Sequence, residues 1–433
     1  MSFKNNYLPL CLVAIFGAAV QADQPAPPPT ALTIEDLVHS TVVQNPEIRF
    51  YEAQVVAAKA ERQSAGLLSN PVVASEVGPM RTRDRDGNLT GEGVAWSVSV
   101  MQAFDWPGRM GLRKAIANRD IALAELGLAR FRAALAARVR TLSYGLFAAQ
   151  EKAIAAAEVA GRLRDLKEVL VQRDPAGITP LLETRVIEAT ELSAQRQASE
   201  LALALESGLL ELNALRGLTN TAPFSILPAQ LEFKPAGDRA RLTALARTNN
   251  FELRLRAVEL EQQGFRVDLA KNERWPSISI GPSIWQQNAA DDQRSVGVGI
   301  SFPLPLWNRN SANIQSAKAR QLQAETLLTV AQRDTERQVA QAAATYSAKL
   351  QEMDRWRPEA VTHFREAAEL ADRHYRLGAV PAATYVELQR QYLEAVRGLL
   401  DTKREALEAA QQLEYLTGLP EPLVTAQTAA PNP

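Results

Sequence analysis

Cysteine and histidine are scarce in this chain. Among 433 residues there is one cysteine, Cys11, and it lies in an apolar N-terminal run that is expected to be removed. A mature chain without cysteine has no disulfides and no thiolate metal site. The three histidines, His39, His363 and His374, do not form a metal-site motif with a second ligand. We therefore expect neither a bound metal nor a cofactor.

Excess charge of one sign is also missing. Forty-eight Lys and Arg balance 49 Asp and Glu, so a nucleic-acid partner has no electrostatic support. Aromatic residues make up only 6% of the chain, and much of its 46% hydrophobic content is alanine. That composition is typical of long helices packed closely side by side. There is no phosphate loop, dinucleotide fingerprint or nucleophile elbow, so we expect no catalytic site and no enzyme activity.

The N-terminus has the pattern of a secretory signal peptide. Lys4 is followed by an apolar run over residues 8–20, and Ala22 offers a small residue for cleavage. The run is shorter than the roughly 20 residues that a membrane-spanning helix needs. We therefore predict a signal peptide over residues 1–22 and a proline-rich linker over residues 23–32.

The rest of the chain is duplicated. The segment Asn45-Pro46-Glu47-Ile48-Arg49 recurs 205 residues later as Asn250-Phe251-Glu252-Leu253-Arg254. Trp106 and Gly177 recur 201 residues later as Trp307 and Gly378, so one net indel of four residues relates the halves. This predicts a first repeat over residues 33–218, a connector over 219–238, a second repeat over 239–419 and a flexible tail over 420–433.

Each repeat is predicted to contain a helix, two strands, a very long helix and a return helix. In the first repeat these helices cover residues 34–68, 109–173 and 180–216, with Thr33 as N-cap and Gly217 as terminator. In the second they cover residues 239–273, 311–377 and a return helix ending near residue 417, with a kink expected at Pro358. The return helices carry apolar and small residues at alternating spacings of four and three, which indicates a coiled-coil seam.

The strands between these helices alternate in polarity. Val296, Val298 and Ile300 share one face of a strand with Phe302, and serines and glycines occupy the other face. Segments of about 9 to 11 residues with one apolar face suit a tilted strand that crosses a membrane, although half-buried strands of a soluble sandwich alternate in the same way. Four strands cannot close a barrel, for which about eight is the minimum. Three chains would supply twelve, and another oligomer is not excluded.

Polar loops and tryptophan-containing corners flank the strands. Residues 81–88 and 286–294 are polar and suit exposed loop tips. The corners between strand and helix contain Trp106 with Pro107 and Trp307 with Pro305. The prolines are expected to end the strands. The tryptophans suit either a membrane interface or simple packing of the corner.

The combination of these elements resembles the TolC-like family of outer-membrane efflux channels. The matching segments are Leu32-Thr33-Ile34-Glu35-Asp36, Asp105-Trp106-Pro107-Gly108-Arg109, Ile300-Ser301-Phe302-Pro303-Leu304-Pro305-Leu306-Trp307 and Tyr375-Arg376-Leu377-Gly378. The corner segments are most similar to the heavy-metal branch, the CzcC type. The resemblance covers nearly the whole chain after the signal peptide.

The resemblance implies a mostly helical protein with a small β part. Duplicated helical hairpins would form a trimeric α-barrel in the periplasm, and four strands per chain would contribute to a shared 12-stranded transmembrane β-barrel in outer-membrane lipid. A periplasmic adaptor (membrane fusion) protein and an inner-membrane pump of the RND class would be its partners in a tripartite system. The main rival is a periplasmic coiled-coil adaptor or scaffold of an export complex, which would not need the alternating strands.

The resemblance also suggests functional residues at the hairpin tips. Tyr375, Glu183 and Glu387 are predicted to form the periplasmic gate, where threefold symmetry would arrange the carboxylates in rings that attract cations. Solvated glutamates on a helix face are the alternative. Adaptor binding is expected at the two tips, at Asp174, Gly177, Thr179, Arg376, Leu377 and Gly378. Val380 stands where the family often has a basic residue, so a salt-bridge lock is not expected there.

Overall fold

Long helices dominate the computed structural model, which describes residues 30–173, 178–218, 224–226, 229–289, 291–355 and 360–428. The expected signal peptide and most of the linker lie outside these ranges. Among the described residues no helix combines the length and apolarity that crossing a membrane requires.

Each repeat opens with two short helices where we predicted one. The first repeat has α1 (Ile34–Gln44) and α2 (Pro46–Ser64), and the second has α5 (Arg239–Asn249) and α6 (Phe251–Asn272). The single helices were wrong because Asn45 and Asn250 adopt non-helical backbone angles and cap the following helix with their side chains. The predicted N-cap Thr33 is confirmed, and it forms a reciprocal capping box with Asp36.

Two long hairpins follow the strands of the two repeats. The first consists of α3 (Arg109–Arg173), 65 residues and about 100 Å long at about 1.5 Å per residue, and α4 (Ile178–Leu215). The second consists of α7 (Ser311–Arg355), α8 (Ala360–Arg376) and α9 (Ala382–Thr417). The expected kink at Pro358 lies outside the described residues. Gly217 and Gly418 adopt positive φ angles of 70° and 58°, which confirms both as helix terminators.

The predicted seam of the return helices is mostly buried in α9 and partly buried in α4. In α9 the side chains of Tyr392, Ala406 and Leu413 face the core. In α4 a Cβ atom at Gly208 would clash with Cδ2 of Leu146 on α3, so a larger residue there would require the leucine side chain to move. The small residue at this seam position thus lets Leu146 pack closely against α4.

The predicted strands form one four-stranded antiparallel sheet with the order β2-β3-β6-β7. Its strands are β2 (Val72–Arg83), β3 (Leu89–Phe104), β6 (Ile278–Asn288) and β7 (Asp292–Ser301). The loops are shorter than predicted, because polar residues at the strand ends still pair: Arg81 lies opposite Glu92, and Gln286 opposite Arg294.

Two small sheets join the ends of the chain to the connector. β1 (Thr30–Leu32) pairs in parallel with β4 (Phe224–Ile226), and β5 (Ala229–Phe233) pairs antiparallel with β8 (Val424–Thr428). Residues 30–32 and 424–428 were expected to be linker and flexible tail, and that expectation was wrong. The connector supplies the backbone partners that hold both segments, an interaction that local sequence patterns do not reveal.

Candidate functional site: sheet faces, corners and hairpin tip

The register of the sheet sorts apolar and small polar side chains onto opposite faces. Val98 on β3 lies opposite Ile284 on β6, which lies opposite Val296 on β7. One residue further along, a row of small side chains crosses the same three strands: Ser99, Ser283 and Gly297. The apolar side chains predicted on single strands therefore combine into one continuous face of the sheet. That face is exposed, with Val296, Val298 and Ile300 at 69%, 73% and 65% exposure.

The sheet is open at both edges. Within the described residues β2 pairs only with β3, and β7 only with β6. Both edge strands are long, with 12 and 10 residues. Exposed, unpaired edges of this length are templates for strands from another chain.

A buried arginine fixes the corner between β3 and α3. The side chain of Arg109 is 7% exposed, and its Nη1 atom lies 3.2 Å from Oδ1 of Asp105 and 3.0 Å from Oγ of Ser277. Its Nε donates to Oδ1 of Asn272 at 3.1 Å. Since Asn272 and Ser277 belong to the second repeat, this arginine joins the two repeats at the base of the sheet.

The tryptophans of the two corners have different surroundings. Trp106 stacks on Trp275 with ring centroids 5.2 Å apart, so it packs within the first corner. Trp307 is 93% exposed. Pro107 contributes its carbonyl oxygen to a 2.9 Å hydrogen bond from Asn272, whereas Pro305 is exposed. Trp106 therefore packs in its corner, whereas Trp307 is exposed.

The tip of the second hairpin contacts α4 of the first through Tyr375. Its hydroxyl donates a hydrogen bond of 3.1 Å to Oε2 of Glu183, and its ring stacks on Tyr385 with centroids 5.4 Å apart. The Tyr375 side chain is buried, and this burial, assisted by the neighbouring Glu183 carboxylate, raises the pKa of Tyr375 to about 12. The phenol therefore stays protonated and keeps donating at neutral pH.

Glu387, the third predicted gate residue, lies in a separate interaction. Its carboxylate pairs with Arg390 of the same helix at 2.7 Å and accepts a hydrogen bond of 2.9 Å from Gln391. The hydrogen bonds from Arg390 and then Gln391 hold the pKa of Glu387 below its usual range. The structure thus brings Glu183 and Tyr375 together, whereas the described contacts of Glu387 lie on its own helix.

The residues predicted for adaptor binding are partly described. Leu377 is 81% exposed, and Gly378 has a φ angle of 75° that turns the chain. Arg376 pairs with Asp372 at 3.1 Å. Asp174 and Gly177 lie outside the described residues, as does the side chain of Thr179. The second tip therefore presents an exposed leucine next to the Tyr375 contact.

Comparison with known proteins finds similarity to a family of outer membrane proteins. A family model described as outer membrane efflux protein matches residues 242–419. The cobalt-zinc-cadmium resistance protein CzcC of Cupriavidus metallidurans is 26% identical over 215 residues. The second repeat of this chain is thus similar to the outer membrane efflux protein family. The match to CzcC covers 48% of this chain and about half, 50%, of the length of that relative.

Solved structures share the fold over nearly the whole chain. The CmeC outer membrane channel of Campylobacter jejuni has a TM-score of 0.70 at 14% identity, covering 96% of this chain and 94% of that one. The open state of the MtrE outer membrane channel of Neisseria gonorrhoeae has a TM-score of 0.68 at 17% identity, covering 92% and 94%. At these identities the likeness shows the fold alone. It confirms the long helical hairpins and the small sheet that were predicted from the sequence.

Sequence reasoning missed two features of the site. The sequence shows Asp105 and Arg109 as part of a corner segment but does not indicate that Arg109 joins the two repeats. It also does not indicate that Tyr385 stacks on Tyr375. The only signal for the arginine was its place directly after Gly108, at the start of a long helix. Its partners in the second repeat lie more than 160 residues away, beyond the reach of local patterns.

Proposed function

We propose that the protein is the channel-tunnel subunit of a tripartite efflux system, in the outer membrane with its helical hairpins in the periplasm. The observation that carries this proposal is the open sheet with one continuous apolar face, built onto long helical hairpins in a chain whose residues 242–419 match the efflux family model. A periplasmic adaptor or scaffold would share the hairpins. It would have no use for an exposed apolar sheet face.

Three copies would complete the barrel. The β7 edge of one copy would pair with the β2 edge of the next, and the antiparallel order of the sheet would continue through twelve strands. The apolar face would contact lipid, and the face with Ser99, Ser283 and Gly297 would line the pore, because lipid-facing positions must be apolar. The same threefold arrangement would close the helical hairpins into a periplasmic tunnel.

The protein would be a passive conduit in this system. An inner-membrane pump of the RND class would select the substrate and provide the energy, and a periplasmic adaptor would link the pump to the hairpin tips. The exposed Leu377 beside Gly378 is a suitable apolar contact for that adaptor. The protein itself would carry out no chemical reaction.

Heavy-metal cations are the proposed substrates. This rests on the similarity to CzcC, whose name refers to resistance to cobalt, zinc and cadmium. The test is a strain lacking this gene, with and without a plasmid copy, grown on graded zinc, cobalt and cadmium salts and on organic inhibitors. Sensitivity to the metals alone supports the proposal, and sensitivity to organic compounds alone contradicts it.

The contact between Tyr375 and Glu183 is proposed as part of the gate at the periplasmic end. It joins α4 of the first hairpin to α8 of the second, so the hairpins cannot separate at the tip without breaking it. Threefold repetition would also bring three Glu183 carboxylates towards the axis, where they would attract cations. Glu387 would contribute less, because Arg390 compensates its charge.

Mass measurement and conductance test the assembly. The purified protein in detergent should have the mass of a trimer and should form discrete conducting channels in planar bilayers. Native membranes should retain it during carbonate extraction. A stable monomer that carbonate releases and that gives no channels would instead support the adaptor or scaffold.

A further inference from the structure

A cleft of about 460 Å³ lies between α3, α8 and α9, well above the hairpin tip. Its apolar wall includes Phe147 of α3, Val361 of α8, and Val396, Leu399 and Leu400 of α9. This volume falls in the range of roughly 300 to 1,000 Å³ that is usual for sites of small organic ligands. The cleft can therefore accommodate a compact molecule with an apolar body.

Lys403 is the half-buried charged residue of this cleft that lacks a partner among the described residues. It lies about one turn beyond Leu399 and Leu400 on the same helix, and it forms no hydrogen bond or ion pair with the residues that the structure describes. Burial lowers the pKa of Lys403, because the charged ammonium loses contact with water there. An ammonium group in this situation lacks the counter-ion that buried charges normally have.

The other charged groups of the cleft are mostly compensated. Arg365 pairs with Glu158 at 3.4 Å and with Glu369 at 3.3 Å. Glu158 also pairs with Arg162 at 2.7 Å. Glu151 lines the cleft as an exposed carboxylate. The half-buried charge that still needs a counter-ion is thus positive and belongs to Lys403.

The internal duplication does not require a lysine here. The position 201 residues before Lys403 is Ala202, and the position 201 residues after Tyr144, another residue of the cleft, is Thr345. The duplicated positions therefore carry neither the lysine nor the tyrosine. The cleft combines α3 of the first repeat with α8 and α9 of the second, and the internal repeat does not supply a second copy of its Lys403–Tyr144 pair.

We propose that this cleft binds a small organic anion with an apolar body, whose carboxylate pairs with the Lys403 ammonium. Phe147, Leu399 and Leu400 would cover the apolar part of the ligand. An anion that pairs with a half-buried ammonium gains a charge-assisted hydrogen bond, which neutral molecules of the same shape cannot form. The site lies in the helical hairpins and does not involve Tyr375 or Glu183.

Equilibrium dialysis tests the site with 2-naphthoate as the anion and 2-naphthalenemethanol as its neutral counterpart. The full-length protein is reconstituted in lipid nanodiscs, and empty nanodiscs correct for partition into lipid. We expect saturable naphthoate binding that weakens about tenfold or more in Lys403→Met, because one charge-assisted hydrogen bond is lost. Lys403→Arg should restore binding.

Arg404→Met is the matched control, because it removes a neighbouring positive charge that is exposed and lies 3.9 Å from Glu408. It should leave naphthoate binding unchanged. Equal naphthoate binding by the wild type and Lys403→Met overturns the proposal, as does equal affinity for the neutral alcohol. Absence of saturable binding in the assembled protein, for instance because a neighbouring copy covers the cleft, overturns it as well. The assay measures binding without transport, so its result is independent of the proposed efflux function.

Discussion

Replacing Tyr375 by phenylalanine should favour the open state of the channel. The change keeps the ring that stacks on Tyr385 and removes only the hydroxyl that bonds to Glu183 at 3.1 Å. A hydrogen bond to a charged group contributes about 1.5 to 3 kcal/mol, and Tyr375 is only 9% exposed, so solvent does not fully replace the bond. Since about 1.4 kcal/mol corresponds to a factor of ten, the closed state should lose about tenfold in population per chain.

Three chains opening together would multiply this effect to at most about a thousandfold, provided that their contributions add. Single-channel recordings in planar bilayers measure it as the open probability at fixed ionic strength. Glu387→Gln is the control, because that carboxylate bonds to Arg390 and Gln391 of its own helix and should not affect opening. The reasoning is refuted if Tyr375→Phe leaves the open probability unchanged, or if Glu387→Gln raises it equally.

Three further substitutions test other parts of the structure. Ile300→Asp should reduce the amount of folded protein in outer-membrane fractions more than Ser301→Asp. Of these two residues only Ile300 lies on the apolar face, where an acidic residue costs up to about 2 kcal/mol. Equal amounts of the two variants would contradict the assignment of the faces. Arg109→Met should lower the midpoint of thermal unfolding in detergent well below that of Arg113→Met. Breaking a buried ion pair costs roughly 3 to 5 kcal/mol, whereas the side chain of Arg113 is 40% exposed. Similar midpoints for the two variants would show that Arg109 does not stabilise the corner. Glu414→Leu should abolish amide exchange protection in β8, because the Glu414 carboxylate accepts a hydrogen bond from the backbone N–H of Leu423, just before the strand. Glu414→Gln should retain this protection. Protected β8 amides in Glu414→Leu would contradict the prediction.

The sequence alone determined the repeats, the kinds of element and most of their ends. The 65 residues of α3 could be predicted because a proline-free run with helical periodicity needs no distant partner to be recognised. The strands could be predicted because alternation of apolar and polar residues is also a local signal. Helix terminators such as Gly217 could be predicted because only glycine adopts their backbone angles at low cost.

Only the tertiary structure decided which residues act together. Two tryptophans in equivalent sequence positions have opposite surroundings, because Trp275 is available to Trp106 and Trp307 is left exposed. Glu183 meets Tyr375 across 192 residues of sequence, whereas Glu387 finds Arg390 three residues away. Likewise, local patterns predict a flexible tail at β8, because its partner strand lies almost 200 residues earlier in the chain. Helical and strand periodicity act between neighbours in sequence, whereas these contacts depend on how the two repeats pack against each other.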